Sequence, residues 1–309
     1  MTALVLAGLA IMLAWPIPLW LHKQRWMWAH PFAAMVIWQT VAVAGVFSLL
    51  GAPIAAALAP LGNTVPQAVS HILRSDSPLG TVMALPTVHV TMLVIAAVLA
   101  GHLLLTFIVT VVRLQREVNE HKNLVKLLGS EGSAKHTYVL PADQPVAYCL
   151  PGLWQPLTVV SSGLQDKLSQ EQLDAVLTHE RAHIRQNHHL LLAAFLTWRQ
   201  ALPWLPVTEK AQSAVSNLVE ILADRATLEK FDRSVLLTAV VATYPLTPQE
   251  PADTFVPTSQ TAQEQTQLSP RVATLINDPA TSGTVAATMI ASATAVLLGV
   301  MGLLSFGPL

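Results

Sequence analysis

The distribution of charge along the chain limits its fold more than any other feature. Residues 1–112 carry four charged side chains, Lys23, Arg25, Arg74 and Asp76, and none follows Asp278. All the others lie from Arg113 to Asp278. Between the sparse charges run apolar stretches of the length a helix needs to cross a bilayer core, about 20 residues. The chain therefore reads as membrane, then polar domain, then membrane. Only 11% of its residues are charged and 52% are hydrophobic, whereas about a quarter are charged in an ordinary soluble protein. A net charge of −1 leaves no basic footprint, so no direct nucleic-acid partner is expected. Membrane lipid is.

Three spans are predicted in residues 1–112, at about 3–21, 32–59 and 84–112, with Pro53 a candidate kink in the second. A fourth lies within 283–309. The first is read as retained, not cleaved, because Lys23 and Arg25 follow it and no small-residue cleavage site is evident. Trp26 and Trp28 suit the interface. Positive residues stay in the cytoplasm, so Lys23 and Arg25 place the first loop inside. Both termini and the short polar segment 61–83 are then outside, and residues 113–282 are cytoplasmic. His89 and His102 lie within the third span. Ionisable groups at membrane depth are functional candidates, but neutral histidines packed between helices are the plainer expectation.

Residues 113–282 are expected to form an α+β domain with a short sheet. A helical extension breaks near Gly129–Ser133. Three strand-like pieces follow, His136–Leu140, Val146–Leu150 and Leu157–Ser161, bounded by prolines that suit edges and turns. Ser169 and Gln172 form a capping-box pattern opening a helix on which Leu173, Val176, Leu177 and Ile184 recur at helical spacing. Residues 190–205 are apolar but interrupted by Arg199 and Pro203, and read as a buried or membrane-surface helix. Thr208 is the expected cap of a helix running through Arg225. Residues 246–270, rich in Pro, Thr and Gln, read as a linker. The single Cys149 allows no internal disulfide and fits a reducing compartment.

The predicted helix after Ser169 carries His179-Glu180-Arg181-Ala182-His183, an HExxH motif. Histidines four apart share one helix face at a separation that lets both bind one metal ion, and Glu180 beside them can act as general base. Chance alone gives such a motif in about one chain in a hundred of this kind, so its surroundings decide. A catalytic zinc takes a third protein ligand from another element. Glu220 is the candidate, and Asp224, four residues on, is placed to accept the free N–H of a ligand histidine. Arg225, His188 and Tyr244 are candidate transition-state donors. The plainer expectation pairs Arg225 with a carboxylate and puts His188 and His189 on a polar helix end.

The sequence HERAH followed by E-I-L-A-D-R resembles the gluzincin pattern HExxH…ExxxAD of CAAX-prenyl-protease and HtpX-like peptidases. The layout of spans resembles more closely the BlaR/MecR-type antirepressor metallopeptidases of bacterial plasma membranes. Ser269-Pro270-Arg271-Val272-Ala273-Thr274-Leu275 is similar to the P-x-x-R-[IV]-x-x-L tail of such domains. The resemblance implies a mainly α membrane protein, with four transmembrane helices and an inserted gluzincin-like domain. It implies one zinc per chain on His179, His183 and Glu220. It also implies β-addition of an extended substrate to Val159, Val160 and Ser161. The implied substrate is a cytoplasmic protein, a winged-helix repressor of the BlaI type or the chain itself. Apart from the resemblance, a second copy of the chain, as a homodimer, is a candidate partner. The chain ends at Leu309 without the family's penicillin-binding sensor, so direct β-lactam sensing is not expected. Two other readings remain: a non-proteolytic zinc-binding sensor or scaffold, and a small transporter using His89 and His102.

Overall fold

The computed structural model describes residues 1–132, 136–152, 156–243, 270–277 and 283–309. The predicted linker at 246–270 and Tyr244 fall outside these, apart from Pro270. The protein is mostly helical. Its first helices are α1 (Thr2–Ala14), α2 (Pro16–Leu21), α3 (Trp26–Ala29), α4 (Pro31–Leu58), α5 (Val65–Arg74), α6 (Pro78–Met83) and α7 (Thr87–Leu128). Four strands follow: β1 (Ser130–Glu131), β2 (Thr137–Leu140), β3 (Ala147–Leu150) and β4 (Leu157–Ser161). Then come α8 (Ser162–Lys167), α9 (Gln170–Arg185), α10 (His188–Ala201), α11 (Pro206–Leu228) and α12 (Arg233–Thr243). Helix α13 covers residues 270–277, and α14 is Gly283–Phe306.

The chain forms two compact units. One comprises Met1–Ile108, Thr197–Ala211 and Thr281–Leu309, the other Val109–Leu196 and Gln212–Ala280. Among the described residues, four helical stretches are long and apolar enough to cross a membrane: Thr2–Leu21, Pro31–Leu61, Thr87–Leu128 and Gly283–Phe306. Leu6 and Leu13 of α1, Val41, Ala44 and Ala55 of α4, and Val300 of α14 bury one another. Leu4, Ile11, Leu104 and Leu298 point outward and stay exposed, which lipid tolerates and water does not. The first stretch breaks at Trp15, where Pro16 starts a new helix. Pro53 stays inside α4. The segment predicted as polar, 61–83, holds two short helices capped by Thr64 and Ser77 side chains.

His89 and His102 each serve a backbone carbonyl. His89 Nδ1 is 2.9 Å from the Ala56 carbonyl oxygen, whose helical partner would be residue 60. That residue is proline and has no N–H. His102 Nε2 is 3.0 Å from the carbonyl of Ala201, the last residue of α10. Both contacts satisfy acceptors that their own helices leave unpaired.

In the second unit the sheet order is β1-β2-β4-β3, with β2 and β4 parallel and the other pairs antiparallel. Alternation on β4 gives each face its own core. Leu157 and Val159 pack with Val125 of α7. Val160 packs with Leu164, Leu168 and the Leu173, Val176 and Leu177 stripe of α9. Gly163, just after β4, lies so close to the Asp143 carbonyl that a Cβ would stand 2.0 Å from it. Only glycine admits that approach.

Two sequence expectations change here. Thr208 does not cap α11; the helix starts at Pro206, and the Thr208 hydroxyl donates to the Leu205 carbonyl 2.8 Å away. Val159, Val160 and Ser161 cannot add a substrate strand. Their strand β4 is paired on both sides, by β2 and β3, and all three residues are buried. The Ser161 hydroxyl instead accepts from the Val146 and Leu164 amides, capping α8. Among the described strands, β3 has the open edge on that side of the sheet.

Candidate active site

Helix α9 forms where the sequence places it. Ser169 and Gln172 make both bonds of a capping box, and the apolar stripe anchors the helix to the sheet. The opposite face carries His179 and His183, whose Nε2 atoms are 3.1 Å apart. Glu220 enters from α11. Its Oε2 is 3.3 Å from His179 Nε2 and its Oε1 is 3.5 Å from His183 Nε2. Among the described residues, these three form a group that could hold a metal ion. Ligands about 2.0–2.1 Å from a tetrahedral zinc lie roughly 3.3 Å from one another, so the donor set fits that ion.

Each donor is oriented from behind. His179 Nδ1 is 3.0 Å from Asp224 Oδ1. A carboxylate only accepts, so Nδ1 carries a proton; Nε2, which faces Glu220, would offer its lone pair to a metal that replaced the proton there. Asp224 is 2% exposed. Arg271 of α13 neutralises it through two bonds of 2.7 Å, from Nε and from an NH2 nitrogen, and reaches Glu220 Oε2 at 3.1 Å. The Arg271 guanidinium is buried and shared by two carboxylates. The sequence supplied its position within the P-R-V-A-T-L segment but no role for it. The backbone of Cys149 in β3 lies close enough to the Glu180 carboxylate to favour its ionised form, which puts the open edge of the sheet near the general-base candidate.

Electrostatics match this arrangement. Glu180, Glu220 and Asp224 bring three carboxylates against one guanidinium, a balance suited to a divalent cation. Burial pushes Glu180 up to about 7, with Glu220 nearby acting in the same direction. Glu220 and Asp224 resist burial and stay ionised below the usual carboxylate range, Glu220 chiefly through His179 and Arg271, Asp224 chiefly through Arg271. Burial lowers His183 to about 3 and His188 to about 4, keeping both rings neutral. Burial and Arg271 oppose charge on His179, but hydrogen bonds to Asp224 and Glu220 outweigh them and raise it to about 9. A metal bound at Nε2 would take the place of that second proton.

Residues 111–244 match the model of peptidase family M48. The match contains HERAH, Glu220 and Asp224, and it supports a metallopeptidase of that family. Arg271 lies outside it. No curated protein and no solved structure matches the chain. Of the expected donors, His188 is not on a polar surface but buried, 2% exposed, with both ring nitrogens engaged.

Proposed function

We propose that the protein is a membrane-anchored, zinc-dependent endopeptidase acting on a cytoplasmic protein. The convergence of His179, His183 and Glu220 on one point, with Glu180 on the same helix, carries this reading. The family match over residues 111–244 supports it. His179, His183 and Glu220 would hold the ion, Asp224 orients His179, and Arg271 holds both acidic side chains. Bound zinc supplies a Lewis acid for the scissile carbonyl and lowers the pKa of water toward neutrality. Glu180, held near 7 by burial, accepts the proton of the attacking water and returns it to the departing amine. An extended substrate adds to the open edge of β3, beside Glu180, and not to β4.

Lys23 and Arg25 before the second span, and Arg113 and Arg116 after the third, favour a cytoplasmic catalytic unit with both termini outside. The span layout that resembles the antirepressor peptidases favours a winged-helix repressor, or the chain itself, as substrate in a signalling role. The test is Glu180→Gln in the full chain with a repressor encoded nearby. Zinc content should persist while cleavage, read by mass spectrometry, falls by about 10²–10⁴-fold. Wild-type cleavage in that variant would refute the assignment.

A further inference from the structure

The turn after α9 brings a further histidine against the site. Helix α9 ends at Arg185, Gln186 caps it, and Asn187 adopts φ 53. Asparagine is one of the few residues besides glycine that takes this left-handed conformation readily, and it commonly ends helices. The chain reverses there, so α10 begins at His188 and its ring returns to His183. The two rings meet edge to face with centroids 4.9 Å apart. His188 Nδ1 is 3.0 Å from His183 Nδ1, and His188 Nε2 is 3.0 Å from Gln186 Oε1.

These contacts settle where the protons sit. An amide oxygen only accepts, so His188 Nε2 carries the hydrogen. A neutral imidazole has one N–H, so His188 Nδ1 is an acceptor. His183 Nδ1 must then donate to it. That leaves the lone pair of His183 on Nε2, the atom 3.1 Å from His179 Nε2 and 3.5 Å from Glu220. We propose that Gln186 and His188 form a relay that locks His183 in its metal-binding tautomer. His188 is thus a positioning residue, acting through His183; its nitrogens are both committed and it offers nothing to substrate. It does for His183 what Asp224 does for His179, with a neutral acceptor instead of a carboxylate. The inference rests on the zinc reading above, but it is separable from it.

The test is zinc affinity of the purified full chain in detergent, by competition with a chromophoric chelator. His188→Leu should weaken binding by about 10–100-fold, the usual cost of losing such an outer contact. His188→Asp, which can still accept from His183, should recover most of it. Gln186 is half-exposed, so its variants decide the matter even if a buried His188 variant does not fold. Gln186→Glu keeps the acceptor and should bind zinc as wild type does. Gln186→Lys donates to His188 Nε2 and turns the relay round, so it should bind more weakly and alter the visible spectrum of the cobalt-loaded protein. Wild-type affinity in both His188→Leu and Gln186→Lys would overturn the relay while leaving the zinc site intact. Equal losses in His188→Asp and His188→Leu would reduce His188 to packing and overturn it too. A wild-type chain that takes up no zinc would overturn the proposed function itself.

Discussion

Two sets of histidines in this protein look alike in sequence and differ in structure. His89 and His102 lie in a long apolar helix, and each gives one ring nitrogen to a single backbone carbonyl. His179 and His183 lie in the polar unit. Each has its Nδ1 engaged by a side chain and its Nε2 turned toward the same point. Burial alone therefore does not mark chemistry. What marks it is convergence of free lone pairs, backed by partners that fix which nitrogen is free. The membrane histidines repair helix ends, which removes the main sequence argument for a transport path.

The comparison can be broken most forcefully at Arg271. Arg271→Leu leaves Asp224 and Glu220 buried without their cation, at a cost of about 3–5 kcal/mol. The loss should be larger in zinc-stripped protein than in zinc-loaded protein, read by thermal melting. An unchanged melting temperature in both would show that the carboxylates do not need it. Next comes Asp224→Asn, which should weaken zinc binding by about 10–100-fold by removing the obligate acceptor of His179. Retained affinity in a chelator titration would break the parallel between Asp224 and His188.

A pH profile sharpens the contrast further. Glu180 must be deprotonated to act as base, and burial raises it to about 7. Cleavage should thus fall about tenfold per pH unit below that value and level above it. The stability sign is opposite. The folded state holds the Glu180 proton from the ordinary 4.5 up to about 7, so the stripped protein loses stability as pH rises through this window. A Glu180→Gln chain should lack that decline in a series of melts. The smallest effect belongs to the membrane histidines. His89→Leu or His102→Leu should cost about 1 kcal/mol and leave zinc content untouched. Zinc loss in either would undo the division between the two sets.

The local parts of this site were readable in advance. HERAH needed only helical spacing and a capping box, both of which depend on neighbours within a few residues. Glu220 and Asp224 needed only a four-residue separation on one helix. The order of strands was harder, because pairing is non-local: the apolar run L-T-V-V marks a buried strand but does not say whether its edges are paired. His188 was named only as a candidate donor or a polar helix-end residue; its burial against His183 was missed because its position depends on one left-handed residue, although Asn187 just after a helix is the usual sign of such a turn. Arg271 is 47 residues from Asp224 in sequence, and nothing in the spacing of a lone arginine says which acid it will meet.

Arg271 has a consequence for where the catalytic part of this protein stops. A chain cut at residue 244, the limit of the family match, would keep every atom able to hold the ion. It would lose the cation that makes those acids tolerable when the ion is gone. Such a fragment would need a bound metal to offset those buried acids, whereas the longer chain carries Arg271 to offset them without one. The border of the candidate site is drawn by charge neutrality, and it lies beyond Glu220.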